Sequence, residues 1–245
     1  RVSIKNKIVT PSQLVDDQGA KILIFGEAGS GKTTICETAP GKTLVISAEA
    51  GLLSIKDSKN VDALEVKEAA EVMEIHRLLE SGEIKYDTVC LDSISEISEI
   101  LLNFEKSRNK DPRAAYGNVQ ESMTNVMRAY RDLKMHVVFL AKSERTIADG
   151  IPNFEPKMVG TKLGQAVTYF FDEVLALRII EDQDEEGNVI KRRWLQTETG
   201  QGHVAKDRSG KLNPFEEPNL TKLIDKLGFG KTKQATQEEP LTKAG

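Results

Sequence analysis

The 245-residue sequence has little cysteine and little histidine, and this excludes two kinds of stabilised scaffold. Two cysteines, Cys36 and Cys90, are too few for a disulfide framework, so we expect both to be reduced thiols in the core. The three histidines, His76, His136 and His203, are scattered without metal-ligand spacing. We therefore interpret all three as structural residues.

The sequence also lacks long apolar runs and a basic net charge. No run approaches the ~18 apolar residues of a transmembrane helix, and the opening RVSIKNKIVT has no signal-peptide core. We expect a trimmed cytoplasmic protein with no membrane partner. The 34 basic residues are outnumbered by 38 acidic ones, which gives a net charge of −4. Nucleic-acid binding would therefore need a local patch or an assembled oligomer.

Short apolar runs alternate with helical patterns along the chain, and this predicts an α/β fold. Buried strands are predicted at residues 21–26, 43–47, 61–66, 88–91 and 136–141. Helices are predicted at residues 31–38, 67–79, 93–104, 116–133, 163–170 and 219–227. Segments 172–180 and 189–196 alternate in polarity and predict an antiparallel hairpin. Residues 143–161 contain two glycines and two prolines, and we interpret them as a long loop.

This pattern predicts one mostly parallel sheet flanked by helices, with an antiparallel hairpin after the core strands. The predicted organisation is a lead-in over residues 1–20, one domain over 21–230 and a polar tail over 231–245. The composition of the tail predicts disorder.

The strongest motif is GEAGSGKT at residues 26–33, which fits the Walker A pattern between a predicted strand and a predicted helix. Gly29 and Gly31 lack Cβ atoms and let the backbone approach a phosphate. Lys32 is predicted to reach the β- and γ-phosphates, and Thr33 to bind Mg²⁺. The sequence therefore predicts a site for ATP and Mg²⁺. Its loop residues are Gly26, Glu27, Ala28, Gly29, Ser30, Gly31, Lys32, Thr33 and Thr34.

Two carboxylates follow predicted strands. Asp92 ends the run YDTVCLD, and we predict that it is the second magnesium ligand; the alternative is a helix N-cap. AAA-type and ABC-type ATPases commonly carry their general base directly after this aspartate, but here Ser93 follows, so the base must come from elsewhere. Glu49 follows the second strand, where side chains converge on the ligand crevice. We predict that Glu49 polarises the attacking water, the alternative being a surface carboxylate.

Several P-loop families do not fit. The sequence Asn109-Lys110-Asp111 is followed by Pro112, so the guanine-reading motif of small GTPases fails. There is no LSGGQ-type signature of ABC proteins. On the P-loop alone, a small-molecule phosphotransferase remains possible.

From residue 20 to residue 210 the chain resembles the RecA-like core, through SAEAG, a strand ending in DS, FLAK and AKDRSG. The resemblance implies that Glu49 activates water and that Lys142 senses the γ-phosphate, although recombinases carry glutamine there. It also implies that Lys206 and Arg208 reach the ATP site of a neighbouring copy. The active enzyme would then be an oligomer, because these cations could not reach their own nucleotide.

More narrowly, the chain resembles phage-encoded RecA-like ATPases of single-strand annealing and recombination. The similarity lies in GEAGSGKTT, YDTVCLDSISEI, AYGNVQESM, HVVFLAKSE and AKDRSGKL. It implies ATP-dependent action on single-stranded DNA, as a ring or a filament, often with a single-strand-binding protein as partner.

Two segments combine cations with aromatic rings, the combination that binds single strands. Segment 106–113 lies near Phe104 and Tyr116 and carries Lys106, Arg108, Lys110 and Arg113. Segment 143–162 carries Arg145, Phe154, Lys157 and Lys162. The alternative for each segment is a solvated loop, and an aromatic content of only 5% gives the DNA interpretation no added support.

The leading hypothesis is a Mg²⁺-dependent ATPase that acts on single-stranded DNA in phage recombination, active as an oligomer. One alternative is a P-loop phosphotransferase that acts on a small molecule. The other is an assembly protein that is switched by nucleotide and does not bind DNA.

Overall fold

A computed structural model describes residues 8–16, 18–49, 51–148 and 150–229. Its strands are β1 (Lys21–Gly26), β2 (Thr43–Ser47), β3 (Val61–Glu65), β4 (Thr88–Asp92), β5 (His136–Ala148), β6 (Ile151–Pro156), β7 (Glu173–Gln183), β8 (Val189–Gln196), β9 (Lys206–Asp207) and β10 (Phe215–Glu216). Its α-helices are α1 (Pro11–Asp16), α2 (Lys32–Ile35), α3 (Ala69–Ser81), α4 (Ile94–Arg108), α5 (Pro112–Arg131), α6 (Thr161–Val167) and α7 (Leu220–Ile224). In these residues no helix is both long and apolar enough to cross a membrane. The predicted disordered tail, residues 231–245, lies outside them.

Shorter helical turns complete the structure. Three are 3₁₀ turns, at Cys36–Thr38, Leu52–Ile55 and Thr168–Phe170. A π-helical turn at Asp225–Phe229 follows α7. The predicted helix starting at residue 31 is therefore α2 plus a 3₁₀ turn, and the predicted last helix is α7 plus a π turn.

One sheet organises the domain in the strand order β10-β8-β7-β1-β5-β4-β2-β3. Strand β1 lies between β5 and β7 and is parallel to both. Strands β4, β2 and β3 continue the parallel part on one side. On the other side β8 and β10 add antiparallel strands. The predicted fold class, a mostly parallel α/β sheet with an antiparallel hairpin after the core strands, is confirmed.

Helices cover both faces of the sheet, which explains why β1, β2 and β4 are buried along their whole length. Alternate residues of β1 point to opposite faces. Leu23 and Phe25 pack with α3, α4 and α5, whereas Ile22 and Ile24 pack with α2 and α7. Each such side chain contributes roughly 1.5–3 kcal/mol of burial free energy. The two cores fix β1, and with it the loop that follows.

The prediction of a long loop over residues 143–161 is wrong. Strand β5 continues to Ala148, and β6 returns beside it as an antiparallel hairpin. Gly150 has a φ of +78°, and an Asp-Gly dipeptide is a strong signal for a two-residue hairpin turn. The prolines that suggested a loop lie on β6, which pairs with β5; an edge strand tolerates proline.

The cysteines and histidines have the structural roles expected from the sequence. Cys36 and Cys90 are free, buried thiols. The rings of His76 and His136 each form a hydrogen bond with the backbone. His203 stacks on an aromatic ring, with 4.7 Å between ring centroids.

Candidate nucleotide-binding site

The Walker A residues lie between the carboxyl end of β1 and the start of α2. Gly29 and Gly31 have φ values of +74° and +100°, a region that residues with a Cβ rarely adopt. A Cβ on Gly26 would lie 2.7 Å from the backbone oxygen of Leu177. The glycines of the motif are therefore required by the turn and by the close packing of the loop against β7.

The ammonium group of Lys32 lies inside this loop. Its Nζ donates hydrogen bonds of 2.9 Å to the backbone oxygens of Gly26 and Glu27. Burial lowers the pKa of Lys32, and the carboxylates of Glu49 and Asp92 oppose that effect. The positive charge is thus placed where a phosphate held by the loop would lie.

Thr33 and Asp92 meet at the edge of the sheet beside the loop. The Thr33 hydroxyl donates to Oδ2 of Asp92 at 2.5 Å. Asp92 is 2% exposed, and burial raises its pKa, while the Thr33 hydrogen bond lowers it. Hydroxyl and carboxylate oxygens are the ligands that Mg²⁺ prefers, and a cation would compensate this buried carboxylate. Both residues therefore fit a bound Mg²⁺, which would neutralise charge on the nucleotide phosphates.

Glu49 lies next to Asp92 because β2 and β4 are neighbours. Ser47 is opposite Asp92 in the register, and Glu49 follows two residues later. The Ser93 hydroxyl, at the N-cap of α4, donates to Oε1 of Glu49 at 2.5 Å. The structure thus brings the predicted base and the predicted metal ligand to adjacent strand ends.

Lys142 lies in β5, opposite Gly26 at the end of β1. Its Nζ donates to Oε2 of Glu96 at 2.5 Å and lies 3.6 Å from Oε1 of Glu49. Burial lowers the pKa of Lys142, but Glu96 and Glu49 outweigh burial, and the net pKa is raised. The structure therefore places Lys142 near the base rather than free in solvent.

Sequence reasoning missed Glu96. A signal was present, because Ser93 and Glu96 have the S-x-x-E spacing of a capping box. The Ser93 hydroxyl does accept from the Glu96 amide at 3.3 Å. The Glu96 carboxylate, however, turns to Lys142.

Sequence reasoning also missed Arg193 on β8. Its Nε donates to the backbone oxygen of Ser30 at 2.9 Å. A Cβ on Gly31 would lie 3.1 Å from the same Nε. Arg193 thus places a second cation against the phosphate loop of its own chain. The contact spans 163 residues, and no local pattern distinguishes Arg193 from its basic neighbours.

Lys206 and Arg208 lie away from the phosphate loop. Strand β9 pairs with the first residues of β7, which lie beside the start of β1, and the loop follows the other end of β1. Arg208 forms an exposed ion pair of 2.7 Å with Asp172, and Lys206 donates to the Thr168 backbone oxygen. The structure does not bring these cations to their own loop. Their action in a neighbour's site stays a prediction.

Comparison with known proteins shows the family. The family described as the AAA domain matches residues 18–209, which include every strand from β1 to β9. The chain belongs to the AAA domain family. It is a P-loop NTPase, in agreement with the arrangement of its Walker A loop.

Further comparisons of this AAA domain are more distant. A KaiC-like protein from the hyperthermophilic archaeon Pyrococcus horikoshii OT3 superposes with a TM-score of 0.44 and 13% sequence identity. The match covers 75% of this chain and 80% of that one. No curated protein matches the sequence.

The two segments predicted to contact DNA are neighbours in this AAA domain. The turn between α4 and α5 exposes its four cations, namely Lys106, Arg108, Lys110 and Arg113. Lys106 Nζ lies 5.7 Å from the ring centroid of Tyr116, and a Cβ on Gly160 would lie 3.4 Å from that ring. Gly160 precedes Lys162, which is also exposed. These cations and the Tyr116 ring therefore form one surface, which we call the basic surface.

The hairpin β5–β6 lies beside the phosphate loop. A cavity of about 250 Å³ is bounded by the loop and by Phe154 and His203. Arg145 is exposed on β5, while Phe154 and Lys157 are half-buried. Phe154 stacks on His203, so one face of its ring is covered within the chain.

Proposed function

We propose that this AAA domain is a Mg²⁺-dependent ATPase that acts on single-stranded DNA in phage recombination, as a ring or filament of several copies. Hydrolysis is supported above all by one observation. Thr33 contacts Asp92 directly, and Glu49 lies at the adjacent strand end. A metal site and a carboxylate base are thus placed at one edge of the sheet.

The residues of the site have distinct roles in this proposal. Lys32 holds the β- and γ-phosphates through its ammonium group. Glu49 orients the attacking water and accepts its proton. Ser93 fixes the Glu49 carboxylate through the 2.5 Å hydrogen bond. Lys142 responds to the γ-phosphate from β5, the strand that continues into the hairpin.

Assembly into an oligomer is supported by the position of Arg208. Its guanidinium lies at the end of β1 remote from its own phosphate loop, and its side chain is 63% exposed. A cation at such a position can act only on the nucleotide of another copy. In P-loop enzymes a cation supplied in this way contributes ~10³–10⁵ in rate.

Action on single-stranded DNA is supported by the basic surface and the ring of Phe104 beside it. Arg108 lies 5.2 Å from the Phe104 ring centroid, and both Phe104 and Tyr116 are exposed. Exposed rings stack on bases, and the surrounding cations neutralise phosphates. This surface can bind a strand even though the chain as a whole carries a net charge of −4.

The fate of the γ-phosphoryl group tests the reaction. ATP labelled in that group is incubated with the protein, Mg²⁺ and a single-stranded oligonucleotide, and the products are separated. We expect inorganic phosphate, formed only when Mg²⁺ is present. Label that appears on a small organic acceptor would instead establish a phosphotransferase.

DNA binding is measured in parallel as the fluorescence anisotropy of a labelled single strand. We expect the anisotropy to rise with protein concentration. Hydrolysis without any DNA binding would retain the ATPase and reject the DNA substrate.

A further inference from the structure

We infer that Glu96 is a positioning residue that keeps the Lys142 ammonium away from the carboxylate of Glu49. The inference rests on the proposed role of Glu49 as the base in ATP hydrolysis. The Lys142 Nζ has both carboxylates within reach. It lies 2.5 Å from Oε2 of Glu96 but 3.6 Å from Oε1 of Glu49. The lysine thus forms its hydrogen-bonded ion pair with Glu96.

The first turn of α4 fixes both carboxylates. The Ser93 hydroxyl donates to Glu49 at 2.5 Å and accepts from the Glu96 amide at 3.3 Å. One side chain therefore holds Glu49 and the backbone of Glu96 in a defined relation. Ser93 is fully buried, so water does not compete for these contacts.

The same turn fixes the backbone of Lys142. The Ser95 hydroxyl accepts from the Lys142 amide at 2.9 Å and donates to the Lys157 backbone oxygen at 2.7 Å. Since the backbone is held, the Lys142 side chain can only choose among the groups within its reach. Glu96 and Glu49 are the carboxylates that it contacts in the described part of the chain.

An ammonium paired with Glu49 would weaken it as a base. An opposite charge favours the ionised carboxylate and so makes it less ready to accept a proton from water. Glu96 prevents this pairing because it offers Lys142 a shorter contact. The three side chains are 30–38% exposed, so screening reduces the effect without abolishing it.

A double-mutant cycle tests the inference. We compare single-turnover ATP hydrolysis by the full chain and its variants Glu96→Gln, Lys142→Gln and Glu96→Gln/Lys142→Gln. With Lys142 present, Glu96→Gln should lower kcat at least ~10-fold, a part of the ~10²–10⁴ that general-base catalysis contributes. In the Lys142→Gln background the same change should have little effect, because no ammonium remains to move onto Glu49.

Two further variants serve as controls. Glu99→Gln makes the same change of charge one turn later on α4 and should hydrolyse ATP at the wild-type rate. Glu96→Asp keeps the negative charge and should restore part of the rate that Glu96→Gln removes. The KM for ATP should change much less than kcat, because the phosphate loop is untouched.

The outcomes separate this inference from the proposed function. An equal reduction of kcat in both backgrounds would show that Glu96 acts on the fold of α4, and would overturn the inference. So would an unchanged kcat for Glu96→Gln beside an active wild type. A wild-type chain that hydrolyses no ATP would overturn the proposed function, and the inference with it.

Discussion

The Ser93 hydroxyl donates a hydrogen bond to Oε1 of Glu49, with 2.5 Å between the oxygens. Ser93 directly follows Asp92, so a single strand end supplies both the metal ligand and the residue that orients the base. The position of Glu49 therefore depends on the same turn that holds the metal site. This relation links the identity of the base to measurable loss of activity.

Glu49→Gln should bind ATP normally but hydrolyse it at least ~10²-fold more slowly, because an amide cannot accept the proton of water. Steady-state kcat and the binding of a fluorescent ATP analogue check the two parts of this prediction. Glu65→Gln is the matched control, since Glu65 ends the neighbouring strand and lies opposite Ser47. Undiminished turnover in Glu49→Gln would reject Glu49 as the base.

Arg208→Ala should lower kcat by ~10³-fold or more if Arg208 acts on a neighbour's nucleotide. Mixing Arg208→Ala with Glu49→Gln should restore activity, because some interfaces would then combine an intact Glu49 with an intact Arg208. Lys222→Ala, which removes another exposed ion pair, is the control and should change neither rate. A mixture no more active than the sum of its parts would argue against action between copies.

Removing cations from the basic surface should weaken single-stranded DNA binding and its dependence on salt. Each cation that no longer neutralises a phosphate should reduce the slope of log affinity against log salt by about 0.7. The variants change Lys106, Arg108, Lys110 and Arg113 to alanine, singly and together, and anisotropy at several salt concentrations gives the slope. Lys56→Ala with Lys59→Ala, on the loop before β3, removes exposed charge elsewhere. Equal slopes for both sets would place the DNA on another surface.

Glu173 should make stability depend on pH. It is 4% exposed opposite Asp207, and burial together with the Asp207 charge raises its pKa to about 8. The folded chain then holds a proton that the unfolded chain releases near the ordinary carboxyl pKa. The free energy of unfolding should therefore fall as pH rises from about 5 to 8, by at most ~1.4 kcal/mol per unit, and level off above that.

The comparison with Glu173→Gln isolates this contribution. The variant carries no proton to lose, so its stability should fall less steeply between about pH 5 and pH 8. Urea unfolding of both proteins across this range measures the difference. Parallel curves would show that Glu173 is ionised in the folded chain throughout.

The sequence predicts the parts of the site that depend on local spacing. The Walker A residues occupy adjacent positions of one loop, and Asp92 and Glu49 each follow an apolar strand, so strand ends alone bring them together. Arg193 could not be predicted, because its contact depends on the register of β8 against a loop 163 residues away.

The errors have local causes. Glu96 follows a recognisable capping pattern, but that pattern predicts a bond to the backbone of Ser93, whereas the tertiary structure offers Lys142. In the hairpin β5–β6 the prolines favour a loop, but the Asp-Gly turn at residues 149–150 is the stronger signal and predicts paired strands.

The central claim is that ATP hydrolysis by this AAA domain is coupled to single-stranded DNA. The most direct measurement is the rate of ATP hydrolysis with and without a single-stranded oligonucleotide, at about 50 mM and about 200 mM salt. We predict stimulation by the oligonucleotide that weakens at the higher salt concentration, because counterions then compete with the protein for the phosphates. A rate that is the same with and without DNA at both salt concentrations would contradict the claim.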